Sequence, residues 1–221
     1  MPWPQTLVNC AVNRAMRCRL GRCPPDTRPV SARGHRYRVQ NHPMDDIVQQ
    51  ALIKWPNVPH CYGWLGLDAR GRWFLRDDAV QAQGAFPHSK GELLEHTKLI
   101  AFIERNYEAD AQGQWFFQNG PQRVYVELEC APWIWRIQPD GRLLSHTGRA
   151  ASADQASCLL DDEGRVYVAS DIGLGLVHSL DVVQVAEAIE RGDWTVQAVS
   201  ADDLAGQFGF VRSPASSNAS R

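Results

Sequence analysis

Glu127 and Glu129 stand two positions apart in Arg123-Val-Tyr-Val-Glu-Leu-Glu129, a run with the alternation of a β-strand. That spacing puts both carboxylates on one strand face, about 7 Å apart, a distance suited to acid–base work or to a divalent cation. Arg123 and Tyr125 share the face. A guanidinium offers five donors in a fixed fork that fits a carboxylate or phosphate, and a phenol ring beside it stacks on flat groups. With Asn119 in the preceding turn and Trp133 in the following strand, these residues make a candidate ligand-binding set: Asn119, Arg123, Tyr125, Glu127 and Trp133. The expected ligand is a small anion or a protein partner, and no cofactor is implied. Other pairings carry less. His60 and Cys61 are strand neighbours, so they face opposite ways and cannot act together as base and nucleophile. His88, His96, His146 and His178 lack HxxxH or HExxH spacing, the six cysteines lack CxxC spacing, and Gly173-Leu-Gly175 lacks the third glycine of a dinucleotide loop.

The elements that would position this set follow from periodicity. Around Gln118-Asn119-Gly120-Pro121 two aromatic and β-branched runs suggest a hairpin. In its second arm Val124, Val126, Leu128 and Cys130 make a core face, and Arg123, Tyr125, Glu127 and Glu129 a wet one. Pro132 ends that arm, and Trp133, Trp135 and Ile137 resume the alternation. Upstream, the pattern predicts a helix over Asp46–Lys54, strands over Cys61–Asp68 and Arg72–Arg76, a loop over Asp77–Gly91 and a helix over Glu92–Tyr107. Downstream it predicts strands at Ser157–Leu160, Val166–Ser170 and Trp194–Val199. A helix capped by Asp181 and ended by Gly192 precedes the last of them. The turns Asp68-Ala-Arg-Gly71, Asp110-Ala-Gln-Gly113, Pro139-Asp-Gly141 and Asp162-Glu-Gly164 repeat one chemistry, in which Gly relieves a left-handed position and Asp closes the turn. An internal duplication is one source of this repetition, and independent Asp-Gly turns are the other.

Charge is distributed unevenly. Residues 1–43 carry eight Arg, six Pro and a single acid, a formal +7, whereas residues 44–200 carry 13 basic and 22 acidic residues, −9. The leader has no apolar h-region, and its prolines oppose an amphipathic targeting helix. It reads as an extension upstream of a start at Met44, or as a disordered arm. An acidic body argues against nucleic acid, whose phosphates it would repel. No apolar run approaches the ~20 residues a membrane helix needs, so a cytoplasmic protein is expected. The expected domains are a disordered extension (1–43), an N-terminal half (44–113), a C-terminal half (114–200) and a disordered tail (201–221). Seven tryptophans fall within residues 44–200, some expected in the core and some lining a cleft.

The ordered set Gly63-Trp-Leu-Gly-Leu, Gly71-Arg-Trp-Phe-Leu-Arg-Asp77, Leu99-Ile-Ala-Phe-Ile-Glu-Arg, Gly113-Gln-Trp-Phe-Phe and Arg123-Val-Tyr-Val-Glu-Leu-Glu129 with Ala131-Pro132 resembles a group of bacterial proteins classified only as a domain of unknown function. The resemblance spans about residues 59–140. It implies an α+β fold of sheet-and-helix motifs in two halves and a signalling role, with no catalytic residue to carry over. Residues and resemblance together predict an α+β protein of hairpin-rich antiparallel sheets, each covered by a helix, in two similar halves. The expected function is a small-ligand- or partner-binding regulatory module. Its alternatives are a small metal-dependent enzyme using Glu127 and Glu129, and a structural protein-interaction domain.

Overall fold

The computed structural model describes residues 58–153 and 157–219. It is a mixed α/β protein with two large multi-stranded sheets and few, short helices. The helix expected at Asp46–Lys54 lies outside the described residues. Among the described residues no helix is long and apolar enough to cross a membrane.

The first sheet takes β1 (Cys61–Leu67), β2 (Trp73–Leu75), β3 (Glu92–Leu93), β4 (Tyr107–Ala109), β5 (Trp115–Asn119) and β6 (Gln122–Leu128) in the order β3-β2-β1-β6-β5-β4. The second takes β7 (Trp133–Ile137), β8 (Leu143–Ser145), β9 (Ala150–Ala151), β10 (Ser157–Asp161), β11 (Val166–Ser170), β12 (Gly173–Val177) and β13 (Thr195–Val199) in the order β13-β10-β11-β12-β7-β8-β9. The sheets are mixed rather than antiparallel throughout, because β1 pairs in parallel with β6, β7 with β12 and β10 with β13. The first of these pairings also corrects the expected division near residue 113. β5 and β6 belong to the first sheet, so a cut there would sever its centre.

The repeated turns do form. In each, the first residue donates its N–H to the carbonyl of the fifth and accepts from the glycine N–H, as at Asp68/Arg72/Gly71, Asp110/Gln114/Gly113 and Asp161/Arg165/Gly164. Asp68 Oδ1 takes the N–H groups of Arg70 and Arg72, both at 2.9 Å, and Gly71 supplies φ +74°. In the fourth turn the closing residue is Asp161 rather than Asp162, its Oδ1 accepting from Glu163 and Arg165.

The sheets share one apolar core, joined by aromatic rings. Trp115 meets Trp133 edge-on at 4.9 Å, and Tyr107 meets Trp133 at 5.6 Å. Three of the buried polar tips donate to backbone carbonyls: Tyr107 Oη to Pro132 O, Trp133 Nε1 to Ile172 O and Trp135 Nε1 to Val168 O. Gly175 lets the Trp135 indole lie directly on β12, since a Cβ there would overlap the ring.

The outer face of the first sheet is covered, against expectation. Tyr125 and Glu127, assigned to a wet face, are only 4% and 3% exposed. One cover is α1 (Asp78–Ala82), in the stretch predicted as loop, with the segment up to Gly91. Buried Arg76 ties this cover down by donating to the carbonyls of Ser89, Gly63 and Gly84. The other cover is the segment expected to be a disordered tail. After β13, α4 (Ala201–Phe208) buries Ala201 and Leu204 and ends at Gly209, φ +67°. Val211 then donates to Gly113 O, Leu128 donates to Arg212 O, and α5 (Pro214–Ala219) follows. In the sequence between these two segments, the helix predicted over Glu92–Tyr107 is shorter, α2 (Thr97–Arg105), because Glu92–Leu93 pairs with β2 and Tyr107 opens β4. The later helix is α3 (Val182–Glu190), burying Val185 and Ala188. Asp181 stands at its N-cap but makes no capping bond. Its carboxylate instead takes Arg136 and the N–H of Ile137.

Candidate functional site

The β5–β6 hairpin turns through Gly120 and Pro121, with Asn119 opposite Gln122 and Gln118 opposite Arg123. Gly120 takes φ +58°, and Gln118 Nε2 donates to its carbonyl at 2.9 Å, closing the turn from the side. Asn119 is thereby left exposed at the strand end.

Strand pairing then builds an aromatic floor under Arg123. Phe116 is the partner of Tyr125 on β5, and the Arg123 guanidinium lies over the Phe116 ring, 4.4 Å from its centroid. From β1, Tyr62 stacks on Tyr125 at 4.5 Å with planes 5° apart, and the His60 ring meets Tyr125 edge-on at 5.9 Å. His60 Nδ1 accepts from the Arg123 N–H at 3.4 Å. Tyr125 Oη donates to Asp110 Oδ2 at 3.1 Å, so the β4–β5 turn also reaches this face. Burial pushes the Tyr125 phenol up to about 12, with Asp110 and Tyr62 adding to the shift and Arg123 opposing it. Burial likewise lowers His60, helped by the Arg123 charge. Burial raises Glu108, against the pull of Arg123 and Arg149. Among the described residues no carboxylate lies within ion-pair distance of the Arg123 guanidinium. A cation braced on a ring and short of an anion can accept a carboxylate or phosphate.

The structure thus joins Arg123 to Tyr125, leaves Asn119 at the adjoining tip, and removes two members of the expected set. Glu127 is a structural anchor. Its Oε2 accepts from Ser213 Oγ at 2.6 Å and its Oε1 from Ala215 N–H at 3.0 Å. Burial raises its pKa, with these two bonds and the Arg76 charge pulling the other way. Trp133 is completely buried between the sheets, where no ligand reaches it. Glu129 accepts from Lys90 Nζ at 2.5 Å and from Ala69 N–H, so the two glutamates are committed to different protein donors. Among the described residues no group of three or more His, Cys, Asp or Glu side chains is placed to hold a metal. Sequence reasoning missed Tyr62 and Phe116, and weighed His60 only as a partner of Cys61. The signal for Phe116 was the hairpin register itself, whereas Tyr62 needed the parallel pairing of β1 with β6. A separate open concavity of about 400 Å³ lies between the β7–β8 hairpin and α3, floored by Val185, Ala188 and Trp194. Its arginine, Arg191, is already paired with Asp193.

This fold and hairpin face define a mixed α/β protein that holds an arginine over an aromatic ring on the outer face of its first sheet. Residues 44–215 match the family model DUF2944, described as a protein of unknown function (DUF2946), and the chain belongs to that family. No curated protein matches the chain significantly. Among solved structures it is similar to a DUF1285 family protein from Silicibacter pomeroyi DSS-3, at 14% identity and a TM-score of 0.42, over 59% of this chain and 72% of that one.

Proposed function

We propose that the protein is a non-enzymatic binding module, cytoplasmic and regulatory in role, that captures a small anionic ligand or an acidic group of a protein partner at the Arg123 face. The observation that carries this is the Arg123 guanidinium, held over Phe116 beside the Tyr62–Tyr125 stack with no carboxylate in ion-pair distance. A planar fork braced on a ring loses little freedom when it forms two parallel bonds to an anion.

We also infer that the module is one six-strand unit used twice. In support, β1–β6 are ordered 3-2-1-6-5-4 and β7–β12 are ordered 9-8-7-12-11-10, each with a single parallel junction between its first and sixth strands. The Asp/Gly turns recur after the first and fourth strands of both units. The helices do not repeat, since α2 lies between the third and fourth strands and α3 follows the sixth.

A thermal-shift screen with phosphate, sulfate, aliphatic carboxylates and aromatic carboxylates tests the binding reading, because a ligand selective for the folded state raises the melting temperature. At least one class should stabilise the parent and leave Arg123→Ala unmoved. Equal stabilisation of both proteins, or none by any class, contradicts the proposal.

A further inference from the structure

The Phe116 ring that carries Arg123 has a second charged neighbour. In the register of β4 with β5, Glu108 stands directly opposite Phe116, and Phe116 stands opposite Tyr125 in turn, so the three side chains form one row on the outer face of the sheet. Arg123 lies on this face two positions before Tyr125 and sets its guanidinium over the same ring, 4.4 Å from the centroid. An arginine and a carboxylate thus flank one phenyl ring. They lie close enough to interact, because the Arg123 charge, with that of Arg149, opposes the rise that burial imposes on the Glu108 carboxyl. Yet they are not within ion-pair distance of each other, and among the described residues no hydrogen-bond donor is placed on the Glu108 carboxylate. The other charges nearby are engaged. Arg149 lies over Trp133 and donates to Tyr107 O, and Asp110 accepts from Tyr125 Oη and from the N–H groups of Gln112 and Gln114. Glu108 and Arg123 are both half-buried, so part of each is open to solvent.

We propose that the ligand whose anionic group Arg123 captures is a free α-amino acid, with its carboxylate on the Arg123 fork and its ammonium on Glu108. The inference rests on the Arg123 site proposed above and adds a second contact to it. A simple anion drawn to Arg123 brings its charge toward Glu108, which repels it. An α-amino acid carries its ammonium beside its carboxylate, so the same approach turns that repulsion into an attraction and gives each protein charge a charge-assisted hydrogen bond. The ammonium also favours the ionised form of Glu108, which burial opposes. The planar fork fixes the orientation of the carboxylate, and that orientation decides whether the adjacent ammonium faces Glu108.

The test is titration calorimetry of the full chain with L-phenylalanine, N-acetyl-L-phenylalanine and 2-phenylethylamine, which keep one ligand body and lack, in turn, neither charge, the cation and the anion. L-phenylalanine should bind roughly tenfold or more tightly than either of the others, the loss of one charge-assisted bond. Glu108→Gln should abolish its advantage over the acetylated form without weakening the acetylated form, whereas Arg123→Ala should weaken both. Equal affinity of the free and acetylated forms in the parent, or an advantage that survives Glu108→Gln, overturns the zwitterion and leaves Arg123 standing as a plain anion site. A parent that binds none of the three at up to ~10 mM overturns it as well, and the anion screen then judges Arg123 separately. Should Glu108→Gln fail to fold, Glu108→Asp keeps the charge and shortens its reach. It should narrow the preference for the free amino acid, and an unchanged preference refutes the contact.

Discussion

Replacing Glu127 by Ala should loosen the C-terminal segment and lower global stability by about 3 kcal/mol. The carboxylate is 3% exposed and accepts two charge-assisted bonds, from Ser213 Oγ at 2.6 Å and from the Ala215 N–H at 3.0 Å. Each such bond contributes about 1.5–3 kcal/mol net, so the pair sets an upper figure of about 3–6 kcal/mol. Against this stands the cost of keeping the ionised group buried, the cause of its raised pKa. Removal also leaves the buried Arg76 guanidinium without the negative charge nearest it, which pushes the loss back up. Urea denaturation measures the global change, and amide exchange over residues 211–219 measures release of the segment. A loss below about 1 kcal/mol with Ala215 exchange unaltered would refute the anchor role. The sign with pH is also fixed. A carboxyl whose folded pKa is raised above its unfolded value contributes most below the unfolded value, and that contribution is lost as pH rises through the folded one. The stability of the parent relative to Glu127→Gln should therefore improve as pH falls through this window.

His146 behaves oppositely. Burial depresses it from 6.5 to about 3, with Asp68 opposing, so its contribution is present above 6.5 and lost as pH falls toward 3. His146→Asn, which keeps an acceptor for the Ile134 N–H, should flatten the acid limb of a urea-midpoint series by up to about 1.4 kcal/mol per pH unit. Gly175→Ala should cost roughly 1–3 kcal/mol or more in thermal or urea unfolding, because its methyl would overlap the Trp135 indole between β7 and β12. Gly141→Ala, where a Cβ has nothing within 4 Å, should pay only for the positive φ of +80° and fall well below that cost.

The strands and turns were legible because period-two alternation and Asp/Gly closure are local. The alternation of Arg123–Cys130 gave the correct core face, with Val124, Val126 and Leu128 all buried. What it could not reveal was the cover on the other side. Residues 213–219 are small and polar, a composition that reads as disorder. Yet Ser213 supplies a hydroxyl to Glu127, 86 positions earlier, and Ala215 lies against the β1 backbone near Gly63. One missed long-range contact therefore produced two errors, the wet face and the loose tail. The parallel pairing of β1 with β6 is equally non-local, which is why Tyr62 escaped notice, why His60 was weighed only against Cys61, and why the division was placed inside a sheet. Trp133 shows the remaining ambiguity. Alternation places an indole on a face, but only the opposing sheet determines whether that face is cleft or core. Arg123 and Tyr125, neighbours on one strand, needed no such knowledge.

Binding at the Arg123 face is tested most directly by titration calorimetry with the most stabilising anion of the screen, comparing the parent with Arg123→Ala and Arg123→Lys. The stability cost of either change should stay within about 1 kcal/mol, the range of an exposed cation–π contact, so binding can be read without confusion from unfolding. The expected result is roughly tenfold or greater loss of affinity in Arg123→Ala and an intermediate loss in Arg123→Lys, which keeps the charge but not the fork. Undiminished affinity in Arg123→Ala, with its far-UV CD intact, would contradict the proposed site.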